Sequence, residues 1–286
     1  MTQHPDGPVA VTGAAGKTGR AVVAALAARD VPVLALVHRP EQARAGIPGA
    51  TASVAVDLAD PDAAHRVLAG TSAVYLIAPN VHPDEPALLE PVIAGCEASG
   101  PARVVYHSVL HPYAPAMPHH VDKARVEARL HDSRLDWTIL QPASYFENAL
   151  GAWDSVRAKG IWPLPYSATA PFTPVALDDV AEVAAAALSN PAHRFATYEL
   201  AGPERLTTDD MARIAAEVLG HDVTVTAGRR AWREGPGRLL DSDARERLEA
   251  MFDYYDRHGL CGNPTVLAAL LQRAPTTWRD WLLRWI

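Results

Sequence analysis

The chain is short of cysteine: its 286 residues include two, Cys96 and Cys261, far apart and in no metal or redox spacing. This excludes a disulfide scaffold and a cysteine-built zinc site, and leaves reduced thiols as the plain reading. Lysine is nearly as scarce. Of 26 cationic residues only Lys17, Lys123 and Lys159 are lysine, the rest being arginine. A net charge of −7, with no basic cluster interleaved with aromatics, speaks against a nucleic-acid partner. No run approaches the roughly 18 to 20 apolar residues of a membrane span. Met1 to Pro8 lacks the basic and apolar regions of a leader, so a cytoplasmic location without a membrane partner is expected. Internal repeats and low-complexity linkers are also missing. What remains, with 49% hydrophobic residues, is a globular chain with ample material for a core.

The most informative stretch lies at the start. Val9 to Arg20 is a β-branched run that turns into Gly13-x-x-Gly16-x-x-Gly19 and opens an alanine-rich helical pattern. Glycines there let backbone approach a pyrophosphate without Cβ clashes, and the helix N-terminus favours the anion. Gly13, Ala15, Gly16, Lys17, Thr18 and Gly19 are therefore candidate phosphate-cradling residues. A second strand-like run, Val31 to Val37, completes a βαβ unit and leads to His38-Arg39. A site for NAD(H) usually carries an acidic residue at that point, for the ribose 2′-hydroxyl. Arg39 suits a 2′-phosphate instead, so NADP(H) is the expected cofactor. A phosphate-free turn with a surface arginine is the competing reading.

Further strand-like runs at Ala52 to Val56, Ala73 to Ala78, Val104 to Ser108 and Trp137 to Leu140 alternate with helical patterns at Thr18 to Ala28, Pro61 to Leu68, Glu85 to Ala98 and His120 to Leu130. This alternation specifies an α/β fold, a doubly wound parallel Rossmann sheet. Such sheets bind ligands beyond the carboxyl ends of their strands. Besides the glycine turn and His38-Arg39, the residues there are Asp57-Leu58, Pro79-Asn80, Ser108-Val109 and Gln141-Pro142. Asp57 is read as accepting from an adenine amino group, with Leu58 on the ring. Asp60, just before Pro61, fits the helix N-cap better and leaves Asp57 for the cofactor. Ile77, Ala78, Pro79, Ser108 and Pro142 are assigned to the cofactor groove.

Residues 1–142 are expected to form the nucleotide-binding domain. Residues 143–286 would form a smaller, mostly helical substrate lobe, interwoven with it because Phe195 to Leu200 reads as a strand returning to the main sheet. Prolines make Ile161 to Pro174 a loop. Helices are expected at Leu177 to Leu188 and Thr207 to Leu219, the latter opened by Thr207-x-x-Asp210 at capping-box spacing. The largely helical stretch from Leu239 carries Trp278, Trp281 and Trp285 at helical spacing, for which core packing is the plain reading and a partner surface the sharper one.

His119 and Lys123 stand four apart at the start of a helical pattern and share one face. Lys123 is the candidate to hold the nicotinamide ribose and stabilise a substrate oxygen, and His119 to relay a proton. A solvated face with a Lys123–Glu127 ion pair explains the same spacing. His107, His111, His119 and His120 invite a metal reading, but no ligand spacing accompanies them and none is assigned. Ser108 lies in no Gly-x-Ser-x-Gly elbow, so a hydrolase triad has little support. Val109, Tyr145, Phe146 and Trp153 are candidates to wall a substrate pocket.

Together, Val11-Thr12-Gly13-Ala14-Ala15-Gly16-Lys17-Thr18-Gly19, the phrase from His119 through Lys123, Glu127 and Leu130 to Trp137-Thr138-Ile139-Leu140-Gln141-Pro142, and Phe146-Glu147-Asn148 resemble the NmrA-like family of atypical short-chain dehydrogenases. Isoflavone-reductase-like and quinone-reductase-like enzymes belong to that group. Asp178-Asp179-Val180 and Leu200-Ala201-Gly202-Pro203-Glu204 extend the resemblance over most of the chain. It implies NADP(H) on Gly13 to Gly19 and Arg39, and equates Lys123 with the lysine of the reductase members. Typical short-chain dehydrogenases place an acidic tyrosine four residues before that lysine, where this chain has His119. Gln141 replaces the arginine that commonly precedes the proline. The leading expectation is an NADPH-dependent reductase of a carbonyl, quinone or conjugated aromatic substrate, small and hydrophobic. A non-catalytic NADP(H)-sensing regulator and a biosynthetic tailoring enzyme acting on an aromatic substrate stay open, as does a homodimer.

Overall fold

The computed structural model describes residues 7–99, 101 and 103–285. Met1 to Asp6, within the Met1 to Pro8 stretch read above for a leader, lie outside them. The strands among the described residues are β1 (Val9–Val11), β2 (Val33–Val37), β3 (Ala52–Ala55), β4 (Ala73–Leu76), β5 (Arg103–His107), β6 (Asp136–Pro142), β7 (Ile161–Leu164), β8 (Ala196–Leu200) and β9 (Thr224–Ala227). The α-helices among the same residues are α1 (Lys17–Ala27), α2 (Pro40–Ala45), α3 (Pro61–Leu68), α4 (Glu85–Ser99), α5 (Pro118–His131), α6 (Trp153–Lys159), α7 (Leu177–Ser189), α8 (Thr208–Leu219), α9 (Arg229–Glu234), α10 (Ser242–His258), α11 (Thr265–Leu271) and α12 (Trp278–Leu282).

A seven-stranded sheet runs in the order β3-β2-β1-β4-β5-β6-β8, with parallel pairing from β3 through β6. This is the doubly wound Rossmann arrangement. The order reverses between β1 and β4, the position at which such sheets open a ligand crevice. Runs such as Val33 to Val37 are apolar throughout because helices cover both faces of a parallel sheet. Leu68, Leu89, Ile93, Tyr106 and Leu130 are among the fully buried residues of the resulting core.

By its internal contacts the chain divides into two compact units. One takes residues up to 113, 120–141 and 180–198; the other takes 114–119, 142–179 and from 199 on. The second unit has its own core, in which Phe146, Trp162, Trp278 and Trp281 are buried together. Trp278 and Trp281 stack at 5.0 Å between ring centroids, and Trp278 Nε1 donates to the Met211 carbonyl at 3.0 Å. Core packing accounts for these two tryptophans, while Trp285 is 45% exposed.

Local signals hold where they are chemical. Asp60 caps α3, its carboxylate accepting from the N–H groups of Asp62 and Ala63, and Thr207 with Asp210 forms the capping box of α8. The stretch Ile161 to Pro174 differs from the sequence reading. The proline-rich stretch opens with a strand, β7, which pairs in parallel with β9 as a separate two-stranded sheet. Pro163 is tolerated because a strand with a single neighbour does not need every N–H for its ladder. The phrases Phe146-Glu147-Asn148 and Asp178-Asp179-Val180 are partly scaffolding of the second unit. Glu147 accepts from Trp281 Nε1 at 2.7 Å and from the Leu177 N–H at 3.1 Å. Asp179, almost wholly buried, accepts from Arg273 and from both the backbone and hydroxyl of Thr276.

Candidate active site

The glycine turn follows from backbone geometry that glycine adopts at the least cost. Gly13 has φ +57°, the left-handed region. A Cβ on Gly19 would stand 2.4 Å from the Gly13 carbonyl oxygen and 2.7 Å from Ala14 Cα, so α1 can start this close to β1 only with glycine there. Thr12 anchors the turn from upstream. Its hydroxyl donates to the Ile77 carbonyl and accepts from the Ile77 N–H, each at 2.8 Å, extending the β1–β4 pairing past the ends of both strands. Gly16 is the N-cap of α1, no side chain caps this helix, and its first turn carries no acidic residue. That leaves a positive helix end for an anion.

His38 and Arg39 follow β2, both exposed. The Arg39 N–H donates to Gln42 Oε1 at 3.1 Å and starts α2. Among the described residues no carboxylate forms an ion pair with the Arg39 guanidinium. Asp57 is exposed, and its Oδ1 accepts from the Ala59 N–H at 3.0 Å, which leaves Oδ2 for another donor. Leu58 is half-buried against the core. Ile77 is half-buried, Ala78 buried and Pro79 exposed beyond β4; Pro142, buried, ends β6.

At the end of β5 the side chains form two bonded groups within the first unit. Lys123 Nζ donates to Glu85 Oε1 at 2.9 Å and to the His107 carbonyl at 3.4 Å. The Tyr106 hydroxyl donates to the same Glu85 oxygen at 2.7 Å. Lys123 is 16% exposed and Glu85 only 5%. The second group centres on Glu127, 1% exposed. It accepts from the Ser108 hydroxyl, from Gln141 Nε2 at 2.9 and 3.0 Å and from the Tyr113 hydroxyl at 3.3 Å. The Lys123–Glu127 ion pair allowed by the i,i+4 spacing is therefore not the one formed. Lys123 takes a carboxylate from α4, and Glu127 is turned to donors on β6 and beyond β5.

His107 is buried with Nδ1 against the Tyr75 hydroxyl. Burial, and then the nearby Lys123 charge, lowers its pKa to about 3. His120 Nδ1 lies 3.2 Å from the His111 carbonyl, and burial is the main cause of its lowered pKa, about 4. Both rings are neutral at physiological pH. Among the described residues no group of three His, Cys, Asp or Glu side chains is placed to hold a metal ion, and no helix is long and apolar enough to cross a membrane.

His119 is buried in the first turn of α5 and belongs to the second unit, whereas Lys123, one turn on, belongs to the first. Val109 is half-buried after β5, and Tyr145 is half-buried. Phe146 is fully buried with its ring against Trp278 and Trp281, and Trp153 lies in the same core. Sequence reasoning missed Glu85. It stands 38 residues before Lys123 and reads in sequence only as an acidic residue at a helix start.

A glycine turn at the switch point, a helix end without a side-chain cap and, after β2, an arginine that no carboxylate pairs among the described residues are features of a nucleotide-binding α/β protein. Residues 13–191 match the NAD(P)H-binding family, and the chain belongs to it. The resemblance to NmrA-like atypical short-chain dehydrogenases accords with this. The chain is 32% identical over 216 residues to the (4-alkanoyl-5-oxo-2,5-dihydrofuran-3-yl)methyl phosphate reductase of Streptomyces griseus subsp. griseus, a match covering 74% of each. It is 27% identical over 220 residues to quinone oxidoreductase 2 of Escherichia coli, covering 76% of each. The crystal structure of the Escherichia coli NADPH-dependent quinone oxidoreductase complexed with NADPH superimposes with a TM-score of 0.82, at 23% identity, over 97% of this chain and 99% of that one. The protein is an oxidoreductase of this family, with a nicotinamide dinucleotide as its cofactor.

Proposed function

We propose that the protein is an NADPH-dependent reductase of a quinone or related conjugated carbonyl on a small hydrophobic molecule. The observation that carries this is the anchoring of Lys123. Two of the three N–H bonds of its ammonium are taken by Glu85 and the His107 carbonyl, so one aimed donor is left for a ligand oxygen. The glycine turn and the α1 N-terminus would hold the pyrophosphate, Arg39 the 2′-phosphate, and the free oxygen of Asp57 the adenine amino group. Ile77, Ala78, Pro79, Ser108 and Pro142 would line the groove, with Val109 and Tyr145 on the substrate side. When bound, the reduced nicotinamide supplies the hydride. The accompanying proton comes from His119 or from solvent, since no tyrosine stands four residues before Lys123. The quinone reductase relative supports the substrate class.

The test follows loss of reduced-nicotinamide absorbance with NADPH and a panel of quinones and aromatic carbonyls. Turnover is expected with at least one quinone, abolished in Lys123→Ala while NADPH binding persists. No turnover across the panel would overturn the reading and favour a dinucleotide sensor.

A further inference from the structure

The Lys123 ammonium is met by three groups of the first unit. Glu85 Oε1 accepts from it at 2.9 Å, the His107 carbonyl accepts at 3.4 Å, and the centroid of the Tyr106 ring lies 5.7 Å from Nζ. Tyr106 therefore acts on the lysine twice. Its face attracts the cation directly, and its hydroxyl donates to the same Glu85 oxygen at 2.7 Å. The ring is fully buried on β5. Burial, and then the Glu85 charge, raises its pKa well above the ordinary phenol value, so the hydroxyl keeps its proton and stays a donor. The backbone that carries Glu85 is fixed as well. Asp84 caps α4, its Oδ1 accepting from the Ala87 N–H at 3.0 Å, while its own N–H donates to His82 Nδ1 at 3.1 Å. The carboxylate is thus held at both ends, by the first turn of α4 and by a core tyrosine.

We propose that Glu85 and Tyr106 are positioning residues for Lys123, Glu85 through the ammonium it holds and Tyr106 through Glu85, and that together they aim the remaining N–H at the ligand oxygen. Lysine carries its charge on a flexible four-carbon stem, and a single carbonyl at 3.4 Å does not fix it. The buried acceptor from α4 removes that freedom. A donor to a reacting group is effective when its geometry is set before the reaction by neighbours that are themselves locked. A pair that served the fold alone would cost stability when broken, but the rate per folded molecule would stay the same. The catalytic consequence rests on the reductase reading, whereas the holding of the ammonium is read without turnover.

The scarcity of lysine supplies the first readout. With ¹⁵N-labelled lysine, only Lys17, Lys123 and Lys159 carry labelled ammonium groups, and one that is hydrogen-bonded and shielded exchanges its protons slowly enough to appear in a proton–nitrogen spectrum. A Lys123 signal, identified by its loss in Lys123→Ala, should vanish in Glu85→Leu and be displaced in Tyr106→Phe. The second readout is the steady-state rate with NADPH and a quinone that is turned over. kcat should fall about a hundredfold in Glu85→Leu and about tenfold in Tyr106→Phe, with quinone KM and NADPH affinity changed by less than about threefold. Glu85→Gln keeps an oxygen for both donors and should recover at least about tenfold of the loss. Should Glu85→Leu fail to fold, Tyr106→Phe, which keeps the ring and its packing, and Glu85→Gln decide. A wild type without a Lys123 signal, a signal unmoved in the folded variants, or an unchanged kcat in Tyr106→Phe overturns the proposal. A wild type that reduces no quinone sinks the reductase reading instead, and the ammonium signal still decides whether Glu85 and Tyr106 hold Lys123.

Discussion

Acidification should destabilise this protein through two histidines before most of its carboxylates titrate. His107 and His120 are buried, and burial holds their pKa values at about 3 and about 4, below the ordinary 6.5. Their folded-state values are depressed, so the unfolded chain binds more protons below pH 6.5. The stability they confer by staying neutral is fully present above that pH. It is lost as pH falls toward the folded values. At pH 5 an unfolded histidine is favoured by about 1.5 pH units of proton binding, or about 2 kcal/mol each and about 4 kcal/mol for the pair. Carboxylates held low in the fold, such as Glu97 and Asp210, titrate below their usual range and contribute little in this window. Urea unfolding followed by tryptophan fluorescence between pH 7.5 and 5 measures the loss directly. His120→Asn should remove about half of the pH dependence. A midpoint that is flat or rises on acidification would refute the reasoning.

Arg39→Ala should cut NADPH affinity by roughly ten- to a hundredfold and leave NADH affinity nearly unchanged, read by fluorescence titration of both nucleotides; equal affinities in the wild type would contradict the role given to Arg39. Gly19→Ala places a Cβ 2.4 Å from the Gly13 oxygen, so the turn must open, and loss of nucleotide binding with a fall in stability of at least about 2 kcal/mol is expected. Trp278→Ala removes a fully buried ring and its bond to Met211; chemical denaturation should show a loss of about 3–5 kcal/mol.

What the sequence revealed is what short-range chemistry dictates. A strand, three spaced glycines and a helix leave one workable backbone path, and Asp60-Pro61 can hardly be other than a cap and first turn. The polar face of α5 was different. Lys123 and Glu127 sit at the spacing of an ion pair, yet partner choice is decided by what lies across the helix. There Glu85 and Gln141 come from elements far away in the chain. Aromatic residues after β6 posed the same problem, because a pocket wall and a core draw on the same side chains. Only the packing puts Phe146 and Trp153 beside Trp278. Pro163 hid β7 because a proline counts against a strand until its lack of a second neighbour is known.

The Thr12 hydroxyl has a consequence for anyone who would transplant this nucleotide site. The two strands flanking the crevice send their chains in opposite directions just beyond Thr12 and Ile77, where the backbone ladder gives out, and one side chain bridges the gap. Valine has nearly the same volume but can neither give nor take those bonds, while serine can do both. A graft of the glycine motif that begins at Gly13 would therefore carry the loop without its fastening. The heritable unit of this site starts one residue earlier and includes the backbone of Ile77, sixty-five residues away.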